Sequence, residues 1–116
     1  IPIWIPLSDV DPHELVSTLS VYPKLMTVLV GAHYSHALLV RPILKALPNA
    51  HLELSRYEPI GEIESLCDTF GAERLIYGSW YPRYGMGPMM YYLHHSDLSD
   101  EALRLICAEN VERILC

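Results

Sequence analysis

The residues able to do chemistry gather in four short stretches. Gly31 to His36 (GAHYSH) carries His33 and His36, three positions apart. On a helix that spacing puts both imidazoles on one face, where they can share a metal ion. Otherwise His36 caps or flanks the helix that follows. Ser55-Arg56-Tyr57 ends the third expected strand, and Arg56 is a candidate grip for an anion unless Glu53 or Glu58 neutralises it. Trp80 to Met90 (WYPRYGMGPMM) is aromatic and Gly-rich, with Arg83 as its only charge. Trp80, Tyr81 and Tyr84 are suited to wall an apolar pocket, and Arg83 to hold a carboxylate in bidentate fashion. Arg56 and Arg83 together would make an anion-binding pair, with Tyr57, Trp80 and Tyr84 around the ligand. His94 and His95 are adjacent and diverge by roughly 100° on a helix, so they read as a solvated helix end.

Other chemistries lack their patterns. There is no Gly-rich phosphate loop, no HExxH pair and no nucleophile elbow. Ser79 in Gly78-Ser79-Trp80 is without the second glycine of that elbow. Cys67, Cys107 and Cys116 are odd in number and widely spaced, unlike a disulfide scaffold or a zinc ribbon. Cys67 and Cys107 fall at apolar helix positions, where a free thiol packs as a small hydrophobe.

The elements that must position these residues alternate. Ile1 to Pro6 (IPIWIP) reads as a strand whose prolines place it at an edge or a strand start. Asp11-Pro12-His13-Glu14 is a helix start, with Leu15, Val16 and Leu19 as its apolar stripe. Leu25 to Val30 (LMTVLV) suits a strand covered on both faces. A helix follows with Leu39, Ile43, Leu44 and Leu47 on one side, then a strand at His51 to Ser55. Ile63, Leu66, Cys67 and Phe70 mark the next helix, which Gly71 should close as a left-handed cap. Leu75 to Tyr77 is the fourth strand. Pro88 opens a helix through Leu93, and Ser99 caps a final helical stretch on which Leu103, Ile106, Val111, Ile114 and Leu115 face inward. Four strands alternating with helices predict an α/β fold with a parallel sheet. The chain of 116 residues is a single domain on this pattern, against roughly 250 for a complete (β/α)8 barrel. It is expected to be half of such a barrel, with exposed sheet edges beside Ile3 and Ile76 that drive self-association or pairing with an upstream half-barrel segment.

Composition narrows the partners. Apolar residues make up 51% of the chain and charged residues 19%, which is a core-forming balance. Eight Lys and Arg against 14 Asp and Glu give a net charge of -6, which argues against nucleic acid. No apolar run approaches the ~18 residues of a membrane helix. Ile1-Pro2-Ile3-Trp4 has no basic lead to a secretory signal, and the cysteine usage suits a reducing cytoplasm.

Phe70 to Pro82 (FGAERLIYGSWYP) resembles the last-strand motif of the amidohydrolase-related family of metal-dependent TIM-barrel hydrolases, a phrase like "fGadRilfGSDyP". Ala32-His33 resembles that family's "aH" at the end of the sixth strand. Leu52-Glu53-Leu54-Ser55 resembles its seventh strand. Ser99 to Leu115, with Glu109-Asn110, resembles the closing helices. The resemblance spans essentially the whole chain and implies strands five to eight of the barrel.

It also implies function. Members of the family hydrolyse or decarboxylate small organic acids with a divalent metal, zinc or similar. In them a His-x-His pair on the first strand, a His on the sixth and an Asp on the eighth hold the metal, and the Asp activates its water. Of these ligands the chain carries only His33, and Trp80 stands at the Asp position. An indole has one N–H donor, no metal-binding lone pair and no base. The resemblance thus implies either half of a hydrolase site with a degraded metal centre, or a non-catalytic descendant that binds a small organic anion or a protein partner. In the second case the aromatics after the fourth strand fill the space of metal and substrate.

Overall fold

A computed structural model describes residues 1–116. Four parallel strands lie side by side in chain order: β1 (Ile3–Pro6), β2 (Thr27–Val30), β3 (Ala50–Glu53) and β4 (Leu75–Ile76). Between them run α1 (Pro12–Ser20), α2 (Ala37–Ala46) and α3 (Glu62–Phe70). After β4 come α4 (Gly87–His94), α5 (Asp100–Arg104), a π-helical turn at Leu105–Glu109, and α6 (Asn110–Leu115). This is the expected α/β succession of strand–helix units. No helix is long and apolar enough to cross a membrane.

Local chemistry sets the helix ends. Asp11 accepts from the backbone N–H groups of His13 and Glu14, and Pro12 occupies the first helical position, where no donor is needed. Ser99 accepts from the Ala102 N–H at the start of α5. Arg74 donates to the carbonyls of Leu44 and Leu47 at 2.9 and 2.8 Å, so a cation closes the C-terminal end of α2. Gly71 ends α3 with a positive φ of 91° but an extended ψ of 148°, so it is not the left-handed cap the sequence suggested.

Strand side chains alternate between two faces. Leu29, Ala50, Leu52 and Leu75 point to the helix layer, where they meet Leu15, Leu19, Ile43, Leu44, Ile63, Leu66 and Leu93 in the main core. The opposite face carries Trp4, Val28, His51, Glu53 and Ile76. Trp4 aligns with Val28, Val28 with His51, and Glu53 with Ile76. Val28 and Ile76 are covered there by Ile114 of α6. Leu115 does not share in this, being 63% exposed.

The lateral edges differ from expectation. Leu54 donates its N–H to the Ile76 carbonyl, so Ile76 turns its backbone to β3 while Leu75 and Tyr77 turn theirs outward. Two of those outward groups, the Leu75 carbonyl and the Tyr77 N–H, are already bonded. Asn110, fully buried, donates Nδ2 to the Leu75 carbonyl at 2.7 Å, and Tyr77 donates its N–H to the Ile106 carbonyl at 2.8 Å. The C-terminal helix therefore closes the edge beside Ile76. At β1, Ile3 donates to the Met26 carbonyl, which leaves Pro2, Trp4 and Pro6 facing the open side. Two of those three residues have no N–H, so only Trp4 can donate to an added strand.

Candidate functional site

The C-terminal ends of the strands build one face of the molecule. Glu53, the last residue of β3, lies 9% exposed on the sheet face opposite α1, α2 and α3. Its Oε1 accepts from the Ser55 N–H at 2.8 Å. Its Oε2 accepts from the Ser55 hydroxyl at 2.8 Å and from the Gly31 N–H at 3.5 Å. One carboxyl thus ties the loop after β2 to the turn after β3. No cation lies within ion-pair distance, since the chain's two ion pairs are Arg41–Glu62 and Arg104–Glu109. Burial pushes the Glu53 carboxyl above the ordinary carboxylate range, against the pull of its three hydrogen bonds. Glu53, Gly31, Ser55, Gly78 and Ser79 line a cavity of about 470 Å3, with Trp4, Val30 and Trp80 as its apolar walls.

Trp80 stands over this cavity with φ +57°, a left-handed backbone that a bulky side chain rarely adopts. Its indole lies on Gly31, where an added Cβ would come within 3.1 Å of the ring. The guanidinium carbon of Arg56 sits 5.3 Å from the Trp80 ring centroid and 5.1 Å from that of Tyr84, and the two rings meet edge to face at 6.2 Å. Cation–π contact on two aromatic faces holds Arg56 and leaves its planar N–H edge free. That edge borders a second cavity of about 200 Å3, lined also by His33, Ser55, Glu58, Ser79 and Tyr84. Ser55 and Ser79 line both cavities, so the two adjoin.

The site residues expected from the sequence separate into two groups. Arg56, Trp80, Tyr84 and His33 are brought together here. Tyr57 is not, because the chain turns after Glu53. Its N–H bonds the Leu54 carbonyl, and its ring is fully buried in the helix-side core. Arg83 is exposed on the loop and lines neither cavity. Glu53 does not neutralise Arg56, since it faces Ser55 and Gly31 instead.

His36 ends a short 3-10 turn, Tyr34–His36, and His33 is the extended residue that precedes it, so the two do not share a helix face. The Nδ1 of His36 accepts the His33 N–H at 2.9 Å, and the His33 ring lies against Tyr34 at 4.0 Å. His94 and His95 are exposed, and the His95 ring stacks on Tyr91 at 3.8 Å. No three His, Cys, Asp or Glu side chains gather as a metal-holding group. Within this chain the donors fall short of the roughly three protein ligands a catalytic metal takes. His33 is a single imidazole, one nitrogen of His36 is engaged, and the indole of Trp80 cannot ligate.

Sequence reasoning missed Glu53 as a cavity residue. The available signal was the alternation in HLELS, which puts Glu53 on one face with His51 and Ser55, the face that the strand ends direct toward the cavity. Gly31 and Gly78 gave no separate signal, because their value lies in contacts with Trp80 and Glu53.

No family model and no curated protein matches the chain. Its fold matches the crystal structure of an uncharacterized TIM-barrel protein, Bb4693 from Bordetella bronchiseptica, with a TM-score of 0.72 and 21% sequence identity. The match covers 90% of this chain and 38% of that one, so the chain spans well under half the length of the barrel it resembles. The four strand–helix units are thus a fragment of the TIM-barrel fold.

Proposed function

We propose that the chain is the strand-five-to-eight part of an amidohydrolase-related barrel, and that its strand-end face binds a small organic acid by the carboxylate. The observation that carries this is Arg56, clamped between Trp80 and Tyr84 with no carboxylate partner and bordering a cavity with two serine hydroxyls. A guanidinium held by its faces keeps its fork of donors for a planar anion. The cavity of about 200 Å3 suits an acid of few heavy atoms. The phrase FGAERLIYGSWYP supports the family, and an upstream half-barrel or a second copy is the partner that would cover the open face.

Within that family the complete barrel would act as a hydrolase or decarboxylase. Trp80 favours a second reading, a non-catalytic descendant that keeps the acid-binding face, because it removes both a metal ligand and a base.

Titration with propionate followed by amide and guanidinium NMR tests the binding. Saturable shifts are expected at Ser55, Ser79 and the Arg56 side chain. Arg56→Ala should weaken binding by about tenfold or more, as the loss of a charged hydrogen-bonding pair implies. Arg83→Ala should change it by less than about twofold, because Arg83 stands outside the cavity. Binding that survives Arg56→Ala unchanged would refute the assignment.

A further inference from the structure

We infer that Glu53 is the proton-exchanging group of this site, facing the distal end of an acid whose carboxylate is held by Arg56. The inference rests on the anion site proposed above and adds a chemical role for a residue that the family resemblance does not provide. Because Ser55 and Ser79 wall both cavities, a ligand anchored in the smaller one extends past these hydroxyls into the larger, where Glu53 forms part of the wall.

The geometry around the carboxyl suits both protonation states. Oε2 is engaged by two donors, the Ser55 hydroxyl and the Gly31 N–H. Oε1 accepts only the Ser55 N–H and keeps a lone pair for a proton. Gly78, without a side chain, leaves the room that Oε1 occupies. In the forward step the Oε1–H bond breaks and the proton passes to a basic oxygen or carbon of the ligand. The carboxylate left behind is stabilised by the same three donors, and the reverse step takes the proton back.

Few other charges reach this carboxyl. Tyr81 is the only other titratable side chain lining its cavity. Arg56, His33 and Glu58 lie in the adjoining cavity, and His51 lies two residues earlier on the same strand face. Apolar Val30 borders the same cavity and Ile76 is its strand partner, which explains why burial favours the protonated form.

Infrared and 13C NMR titration of the chain carrying labelled glutamate reads the Glu53 carboxyl directly. In the free chain burial should make it titrate above the ordinary carboxylate range, and Glu53→Gln should remove that signal. Saturating propionate should move its midpoint further up, because a second negative charge in the site favours the protonated form. In Arg56→Ala propionate should no longer move it. Ser55→Ala, a milder change, should raise the midpoint in the free chain by removing one donor from the carboxylate. A Glu53 that titrates with the exposed glutamates, or that ignores bound propionate, overturns this inference and leaves the anion site standing. Absence of propionate binding overturns both.

Discussion

The carboxyl of Glu53 occupies the space that a side chain on Gly78 would fill. A Cβ built on Gly78 would collide with Oε1 and the carboxyl carbon. Two strand ends are thereby matched, an acid on β3 and a missing side chain just past β4.

Gly78→Ala should therefore act on Glu53. We expect a loss of about 1–3 kcal/mol in urea unfolding, typical of overpacking at a buried contact. The displaced carboxyl should titrate with the surface glutamates. A variant of unchanged stability and unchanged Glu53 titration would show that the close approach is not a constraint.

His51 should make the fold acid-sensitive. Its imidazole is 5% exposed with Nδ1 unpartnered, and burial, then the charges of Arg74 and Arg113, hold it below its ordinary value of 6.5. Below pH 6.5 the unfolded chain binds this proton and the folded chain resists it. Stability is complete above that pH and falls as pH descends toward the lowered value. Glu53 works in the opposite sense. Its raised value means the folded chain binds a proton more readily than the unfolded one above 4.5, so its contribution declines as pH rises through that window. Urea midpoints between pH 7.5 and 5 should fall for the native chain, stay flatter in His51→Leu, and fall more steeply in Glu53→Gln. An identical slope in His51→Leu would remove His51 from the account.

Asn110 should matter more than its place in a polar helix end suggests. It donates to the carbonyls of Ala72 and Leu75, both at 2.7 Å, and accepts from Arg113. Asn110→Ala leaves the Leu75 carbonyl without this partner, while the Ala72 carbonyl keeps the Leu75 N–H, and should cost on the order of 2 kcal/mol. Sedimentation should also show concentration-dependent association, since the Leu75 carbonyl becomes free for another strand. A stable monomer in that variant would refute the role.

Features set by neighbours in sequence were legible before the structure. Asp11, Pro12 and Ser99 mark helix starts because a cap acts over three residues, and LMTVLV marks a strand because burial on both faces needs an unbroken apolar run. Tyr57 was misplaced because strand alternation was carried past Glu53, where the chain already turns and sends the ring into the core. The partners of Glu53 were not legible, as Gly31 and Gly78 are distant in sequence and meet it only through register. The C-terminal residues from Ser99 read as a final helical stretch, which they form. At its π-helical turn the Ile106 carbonyl accepts from Tyr77, and Asn110 just after it reaches Leu75, contacts that no local sequence pattern announces.

The helix against β4 has a consequence for assembly. The Leu75 carbonyl and the Tyr77 N–H are the groups through which a neighbouring strand would be zipped on, and both are occupied by the chain's own C-terminal segment. At that seam the Tyr77 N–H can serve the helix or an added strand but not both, while the Leu75 carbonyl keeps a second lone pair. A strand added there would have to displace the bond from the Tyr77 N–H to Ile106, so the last turns of this chain act as a built-in end to the sheet.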